Sequence, residues 1–152
     1  DKPARILVVD DDENIRVTVE AILKNEGYAV DVVASGGDAI KKSASTAYNL
    51  VLIDIRLPDM EGTELLTGMK DTVPKMRKII LTGYPSMQNA IEAVNKNADA
   101  YLMKPIDMDK LLELVREQLK QQKAEKEYTE QTVTVFIETR VKEVTEKEPQ
   151  DT

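Results

Sequence analysis

Reactive side chains stand at four places in this chain where a short apolar run ends. Asp10, Asp11 and Asp12 follow ILVV, Asp54 ends VLID, Thr82 ends IILT, and Lys104 follows AYLM. Neighbouring carboxylates repel one another, and a hard divalent cation such as Mg²⁺ relieves that repulsion. A carboxylate can also attack phosphorus and hold the phosphoryl group as an acyl phosphate. These residue types therefore predict phosphoryl transfer to Asp54, with Asp10 and Asp11 as metal ligands and Thr82 and Lys104 as phosphate partners.

Each of these residues, taken alone, also has an ordinary structural explanation. Asp12 precedes a helical pattern and is well placed to be its N-cap. Asp54 suits an Asx turn, because Pro58 and Gly62 follow it. Thr82 could satisfy a loop amide, and Lys104 could be a surface lysine. The shared position of all of them at strand ends favours the chemical interpretation.

The composition excludes several other chemistries. The 152 residues contain no cysteine and no histidine, which rules out disulfides, thiolate metal sites and Ser-His-Asp catalysis. With 21 basic and 28 acidic residues the formal net charge is −7, and such a chain repels phosphodiester backbones. We find no signal-peptide pattern and no apolar run long enough to span a bilayer. We therefore expect a cytoplasmic protein without direct nucleic-acid or membrane partners.

Five short apolar runs alternate with helical patterns along the first 122 residues. The predicted strands are Arg5–Asp10, Tyr28–Ala34, Leu50–Asp54, Lys78–Thr82 and Ala100–Met103. The predicted helices lie near Ile15–Leu23, Ala39–Ala44, Gly62–Lys70, Ser86–Lys96 and Asp107–Gln122. This alternation predicts an α/β fold with a parallel sheet covered on both faces. Sites in such folds form at the carboxyl ends of the strands, where the reactive residues lie.

The sequence changes character after about residue 122. Val133, Phe136, Ile137, Val141 and Val144 fit a helical stripe, although TVTVFIE also suits a strand, and we favour the helix. The final EKEPQDT is expected to be a frayed tail. The chain thus divides into a domain over 1–122 and an extended C-terminal helix or tail over 123–152. That extension is either a linker or a dimerisation segment.

Four motifs follow one another in the order found in response-regulator receiver domains of two-component signalling. They are ILVVDDDENIR, LVLIDIRLPDMEG, IILTG and AYLMKP, and the resemblance covers about residues 4–122. It implies a flavodoxin-like, doubly wound five-stranded parallel sheet in the order 2-1-3-4-5, with five helices and a C-terminal helical extension. It also implies that Asp54 receives phosphate from a phosphohistidine on a sensor histidine kinase or a histidine phosphotransfer protein. Mg²⁺ or Mn²⁺ would be held by Asp11, Asp54 and the backbone carbonyl of Arg56, and by Asp10 through water.

The resemblance extends to a switch. Thr82 would turn toward the new phosphoryl oxygen, and Tyr101, at the position of the family's aromatic switch residue, would turn inward. The affected face comprises the predicted fourth helix, fifth strand and fifth helix. This face, or the C-terminal extension, could also form a homodimer. The family's peptide bond before Pro105 is typically cis.

Two further positions concern the lifetime of the acyl phosphate. Arg56 and Tyr84 each lie two residues beyond a key group, at positions that tune this lifetime in receiver domains. We hypothesise that their bulky side chains restrict the attacking water and so lengthen the lifetime of the acyl phosphate. By this interpretation the chain is not an enzyme, since it catalyses only its own phosphorylation and dephosphorylation.

Three other interpretations compete with the receiver domain. A phosphatase resembling the haloacid-dehalogenase hydrolases would need Asp-x-Asp-x-Thr or Val, and Asn14 occupies the last place. A flavin- or nucleotide-binding module would need a phosphate loop where the acidic triplet stands. A receiver-like scaffold that only binds partners would have no need for the complete acceptor set. Receiver domains usually act on a joined effector, and nothing in these residues resembles a helix-turn-helix or an ATPase motif.

Overall fold

The computed structural model describes residues 2–69, 72, 74–83 and 98–147. Five parallel strands form one sheet in the order β2-β1-β3-β4-β5, as predicted. The strands are β1 Arg5–Val9, β2 Ala29–Val33, β3 Leu50–Asp54, β4 Arg77–Thr82 and β5 Ala100–Met103. The helices within the described residues are α1 Glu13–Asn25, α2 Gly36–Ser45, α3 Gly62–Gly68 and α4 Met108–Lys147. The predicted helix over 86–96 lies outside the described residues.

Apolar residues bury both faces of the central strands. Alternate residues of β1, β3 and β4 point to opposite faces because side chains alternate along a strand. One core layer, with Leu7 and Ile53, packs under α2 and α3, and the other, with Ile6 and Leu52, packs under α1 and α4. β3 is buried along its whole length. The sheet is therefore a rigid platform whose carboxyl edge carries the loops.

The first helix begins directly at the acidic triplet. The Asp12 side chain accepts hydrogen bonds from the backbone N–H groups of Asn14 and Ile15, at 2.9 and 3.4 Å. Asp12 is thus the N-cap of α1, as its ordinary structural explanation predicts. The chain leaves α1 through Gly27, whose φ of 97° is a conformation that glycine adopts easily. Asp12 therefore serves as the cap, whereas Asp10 and Asp11 remain available for the predicted acidic site.

α4 is one continuous helix of 40 residues, which includes the segment for which the sequence allowed either helix or strand. Its first part buries Leu111 and Val115 against the sheet. Residues 123–145 are exposed throughout. The sequence from Met108 to Lys147 contains neither proline nor glycine, so no residue type that commonly kinks helices is present.

A buried polar network joins α4 to the amino-terminal edge of the sheet. The Arg77 guanidinium donates to Gln118 at 2.8 Å, to Gln121 at 3.1 Å and to Glu125 at 3.2 Å. The Gln122 side-chain amide donates to the carbonyls of Asn49 and Lys75, at 2.9 and 2.8 Å. Because such buried groups are costly to leave unpaired, this network fixes where α4 leaves the domain.

Within the described residues, no helix is both long enough and apolar enough to cross a membrane.

Candidate functional site

The parallel pairing of β1 with β3 brings the predicted carboxylates together. Val9 pairs with Ile53, so Asp10 and Asp54 follow side by side at the carboxyl edge. One oxygen from each of Asp10, Asp11 and Asp54 lies within 4.8 Å of the others. Asp10 and Asp54 are buried, whereas Asp11 is exposed. The cluster is therefore enclosed at its base and open to solvent on one side.

Three contacts hold Asp10 in place. Its Oδ1 accepts a hydrogen bond from the backbone N–H of Asp12 at 2.9 Å, and its Oδ2 lies 2.8 Å from the Lys104 ammonium. Its backbone carbonyl accepts a 2.7 Å hydrogen bond from the Arg16 guanidinium. The role of Arg16 could not be predicted from the sequence, because it depends on a contact that only the folded α1 creates. The acidic turn is thus fixed from both sides.

Lys104 bridges the two buried carboxylates. Its Nζ lies 2.8 Å from Asp10 Oδ2 and 3.2 Å from Asp54 Oδ2. Its backbone N–H donates to the Thr82 carbonyl at 2.6 Å, and the peptide bond to Pro105 is cis, as the resemblance implied. Burial by itself would lower the pKa of Lys104, but the hydrogen bond and charge of Asp10, with the charge of Asp54, outweigh it and raise the pKa. Lys104 is therefore a cation held inside the acidic cleft.

Asp54 is held in an environment that opposes its charge. Burial raises its pKa from an ordinary 3.8 to about 6, and the nearby Asp10 carboxylate adds to the effect. The backbone N–H of Arg56, 3.2 Å from Asp54 Oδ1, and the Lys104 ammonium act in the opposite direction. Adding positive charge to this site would favour the ionised carboxylate, which is the form that can act as a nucleophile.

Thr82 and Tyr101 lie on the next two strands of the sheet. Thr82 ends β4, is fully buried and pairs with Met103 of β5. Tyr101 is half-buried on β5, and its ring packs against the core layer that lies under α2 and α3. The Tyr101 hydroxyl is buried and has no hydrogen-bond partner among the described residues. Tyr84, the other residue predicted near Thr82, lies outside the part of the chain that the structure describes.

The loop from β3 to α3 forms one wall of the cleft. Arg56 lines this open cleft of about 600 Å³ together with Asp11, Gly83 and Lys104. Behind it, a Cβ atom on Gly62 would collide with the backbone carbonyl of Asp54. A glycine at this position is therefore needed for the loop to turn so closely beneath the acidic site.

A second anchor of the same loop was not predicted from the sequence. The exposed Asp59 carboxylate accepts hydrogen bonds from the backbone N–H groups of Gly36 and Gly37, at 2.9 and 2.8 Å. These are the first residues of α2, so the carboxylate sits where a helix favours negative charge. The hydrogen bonds from Gly37 and Gly36 lower the pKa of Asp59. No local signal announces this contact, because the partners are 22 and 23 residues apart in sequence.

The donor set suits a hard divalent cation. Asp10, Asp11 and Asp54 offer carboxylate oxygens within 4.8 Å of one another, and Asp11 and Asp54 line the open cleft. Mg²⁺ and Mn²⁺ prefer oxygen ligands, and Mg²⁺ commonly binds through one or two carboxylates while keeping several waters. Both the spacing of these oxygens and their chemical type therefore suit Mg²⁺ or Mn²⁺.

This sheet order, with an acidic cluster and a lysine at its carboxyl edge, defines a receiver domain. The sequence profile of the response regulator receiver domain family matches residues 6–116. The chain belongs to this family, whose members act in two-component signalling.

Relatives and solved structures agree with this assignment. The transcriptional regulatory protein ZraR of Klebsiella oxytoca is 41% identical over 106 residues, which cover 70% of this chain and 24% of ZraR. GlrR of Escherichia coli K12 is 32% identical over 120 residues, covering 79% of this chain and 27% of GlrR. The chain thus spans about a quarter of the length of these curated relatives. A CheY-like receiver domain protein from Methanospirillum hungatei JF-1 superposes with a TM-score of 0.77 at 46% identity, covering 81% of this chain and 98% of that one.

Proposed function

We propose that Asp54 is the residue that accepts the phosphoryl group, from a phosphohistidine on a sensor histidine kinase or a histidine phosphotransfer protein. One observation carries the proposal: Asp54 ends a fully buried strand within reach of both a carboxylate pair and the Lys104 ammonium. A buried carboxylate with a pKa of about 6 is ionised at neutral pH, so it is available as a nucleophile.

In the transfer step, an Asp54 carboxylate oxygen attacks phosphorus while the bond from phosphorus to the histidine nitrogen breaks. The imidazole leaves with that electron pair, and Asp54 becomes an aspartyl phosphate. Lys104 would move from its place between Asp10 and Asp54 to a phosphoryl oxygen, and the Thr82 hydroxyl would donate to another. Mg²⁺ or Mn²⁺, held by Asp11, Asp54, the Arg56 carbonyl and, through water, Asp10, would supply the charge that offsets the crowded anions.

The proposed output is a change of surface near β5. When Thr82 turns to the phosphate, it leaves space that the Tyr101 ring could fill by turning inward. The Tyr101 hydroxyl is buried here without a partner among the described residues, so that movement would break no hydrogen bond to them. The exposed Met103 at the end of β5 would share the altered face with the start of α4.

The chemistry proposed for this chain is limited to gaining and losing its own phosphoryl group. We propose that it works by binding other proteins, including a second copy of itself. The sequence allowed two self-association surfaces. One is the face of the predicted fourth helix, β5 and the start of α4, and its fourth helix, 86–96, lies outside the described residues. The exposed apolar stripe on α4 is the surface that the described residues support.

The test is the intact mass of the protein after incubation with acetyl phosphate and Mg²⁺. We expect one phosphoryl adduct on the unaltered protein and none on Asp54→Asn. Asp59→Asn is the matched control, since it removes the same charge from the same loop and keeps an oxygen acceptor for α2. An adduct of equal yield on Asp54→Asn would refute the assignment of Asp54.

A further inference from the structure

The second half of α4 is helical although its sequence is poorly suited to an isolated helix. Ten of the seventeen residues from Thr129 to Thr145 are Thr, Val or Ile, which lose side-chain freedom in a helix. Their side chains are exposed, so the domain provides no packing to compensate. Most helical stability in proteins comes from packing of an apolar face, so this half of α4 requires a partner.

The exposed apolar residues lie mainly on one face, here called the α4 stripe. It consists of Val133, Phe136, Ile137, Val141 and Val144, each at least half exposed. Each of these side chains exposes on the order of 100 Å², so two stripes in contact would bury about 1,000 Å². That area is at the lower limit for a specific interface between proteins. A second copy of the stripe is thus sufficient to cover it, with modest affinity.

The α4 stripe continues the face by which α4 contacts its own domain. Leu111, Gln122, Val133 and Val144 follow one another at intervals of 11 residues, which return almost to the same face of a helix. Leu111 and Gln122 are buried against the domain. Val133 and Val144 therefore project to the same side as the domain, just beyond its amino-terminal edge.

This position excludes a parallel partner. A parallel second helix on the α4 stripe would continue alongside the first part of α4, into space that the sheet already fills. The domain would block such a partner from about Thr129 and Glu130 toward the start of α4, because Thr72 and Pro74 of the domain line a groove together with these two residues. No proline or glycine lets the helix bend away.

An antiparallel partner fits. We infer that the chain, in the self-association proposed above, forms an antiparallel dimer through the α4 stripe, with the two receiver domains at opposite ends. A two-fold axis between Glu138 and Thr139 places Val133 opposite Val144 of the second copy. The same axis brings Ile137 against Ile137 and Val141 of that copy.

The carboxyl-terminal end of the helix and the charge of Arg140 agree with this arrangement. The described part of α4 reaches Lys147, and Pro149, two residues further along the sequence, cannot continue a helix. In the dimer that end lies level with Glu130, where the groove against the domain begins. The Arg140 guanidinium lies over the Phe136 ring at 5.9 Å and 3.3 Å from Glu143, so its charge is balanced within its own helix.

Sedimentation velocity over a range of protein concentrations tests the association. We expect a reversible dimer, and Ile137→Glu should weaken it at least tenfold. Val135→Glu is the matched control, since Val135 is 60% exposed on the opposite face of the same helix. A monomer at all concentrations, or equal effects of the two variants, would overturn the inference. Unchanged melting of the domain in both variants shows that they fold, because both positions are exposed.

Cross-linking tests whether the two helices run antiparallel. Because the chain has no native cysteine, a thiol cross-linker reacts only with cysteines that are introduced. With a short thiol cross-linker, a mixture of Val133→Cys and Val144→Cys proteins should form linked dimers. Each protein alone should not, because in the antiparallel dimer equal positions are about 16 Å apart along the axis. Self-linking of Val133→Cys would establish a parallel dimer instead. Neither result depends on phosphorylation, so Asp54→Asn should dimerise as the unaltered protein does.

Discussion

Replacing Asp54 by Asn should stabilise the metal-free protein at neutral pH. The substitution is nearly isosteric and removes a charge that burial and Asp10 both oppose, as the pKa of about 6 shows. A pKa that is about two units higher in the folded state corresponds to about 3 kcal/mol of lost stability. Because water reaches the open side of the cleft, we expect a gain on the order of 2 kcal/mol. For a domain of this size that is roughly 4 to 8 °C in melting temperature.

The sign and the pH window follow from linkage. The folded protein holds the Asp54 proton more tightly than the unfolded chain does, so stability falls as pH rises from about 4 to about 6. The gain from Asp54→Asn should therefore be small at pH 4 and reach its full size near pH 7. Thermal melts in EDTA across this range measure it. Glu113→Gln, an exposed change of equal charge on α4, is the control. If Asp54→Asn were neutral or destabilising at pH 7, the reasoning about the acidic cluster would be refuted.

Three other predictions concern the same cleft. Mg²⁺ should raise the melting temperature of the unaltered protein, because it binds only the folded state, and Asp11→Asn should abolish most of that rise; equal shifts in both would contradict the proposed ligand. Gly62→Ala should destabilise by about 1 to 3 kcal/mol in denaturant melts, because its methyl group meets backbone, whereas Gly68→Ala finds only an ordinary contact and should be neutral or slightly stabilising. Arg56→Asn combined with Tyr84→Ala should shorten the lifetime of the aspartyl phosphate, followed by loss of the phosphoryl adduct with time; an unchanged lifetime would show that these side chains do not restrict water.

The positions of the strands and the acidic cluster could be predicted because their causes are local. Each strand is a short apolar run, and parallel pairing forces the residues after β1 and β3 to the same edge. The N-cap role of Asp12 was equally visible, since it depends only on the residues that follow it. The predicted bounds of β3 and β5 match those observed, and those of the other three strands differ by at most one residue at each end, as expected where pairing decides the boundary.

Contacts between distant segments could not be predicted in this way. In the sequence, nothing distinguishes Asp59 from other acidic residues in loops. Its role depends on the position of Gly36 and Gly37 at the start of α2. Arg77 occupies a strand position that favours an apolar residue, and its burial is explained by polar partners distant in sequence. They are Gln118, Gln121 and Glu125 of α4 and the Asp99 carboxylate, 3.5 Å from the guanidinium. The direction of the α4 stripe likewise required knowing which face of the helix packs on the domain. Each of these features combines residues whose separation in sequence carries no periodic signal.

The most direct test of the central claim is to locate the phosphoryl group on the chain. Acyl phosphates are reduced by borohydride, so an aspartyl phosphate becomes homoserine while free aspartate is unchanged. After treatment with acetyl phosphate and Mg²⁺, followed by reduction and peptide sequencing by mass spectrometry, we expect homoserine at position 54 alone. Homoserine at Asp11 or Asp12, or its absence from a protein shown to carry the adduct, would contradict the account.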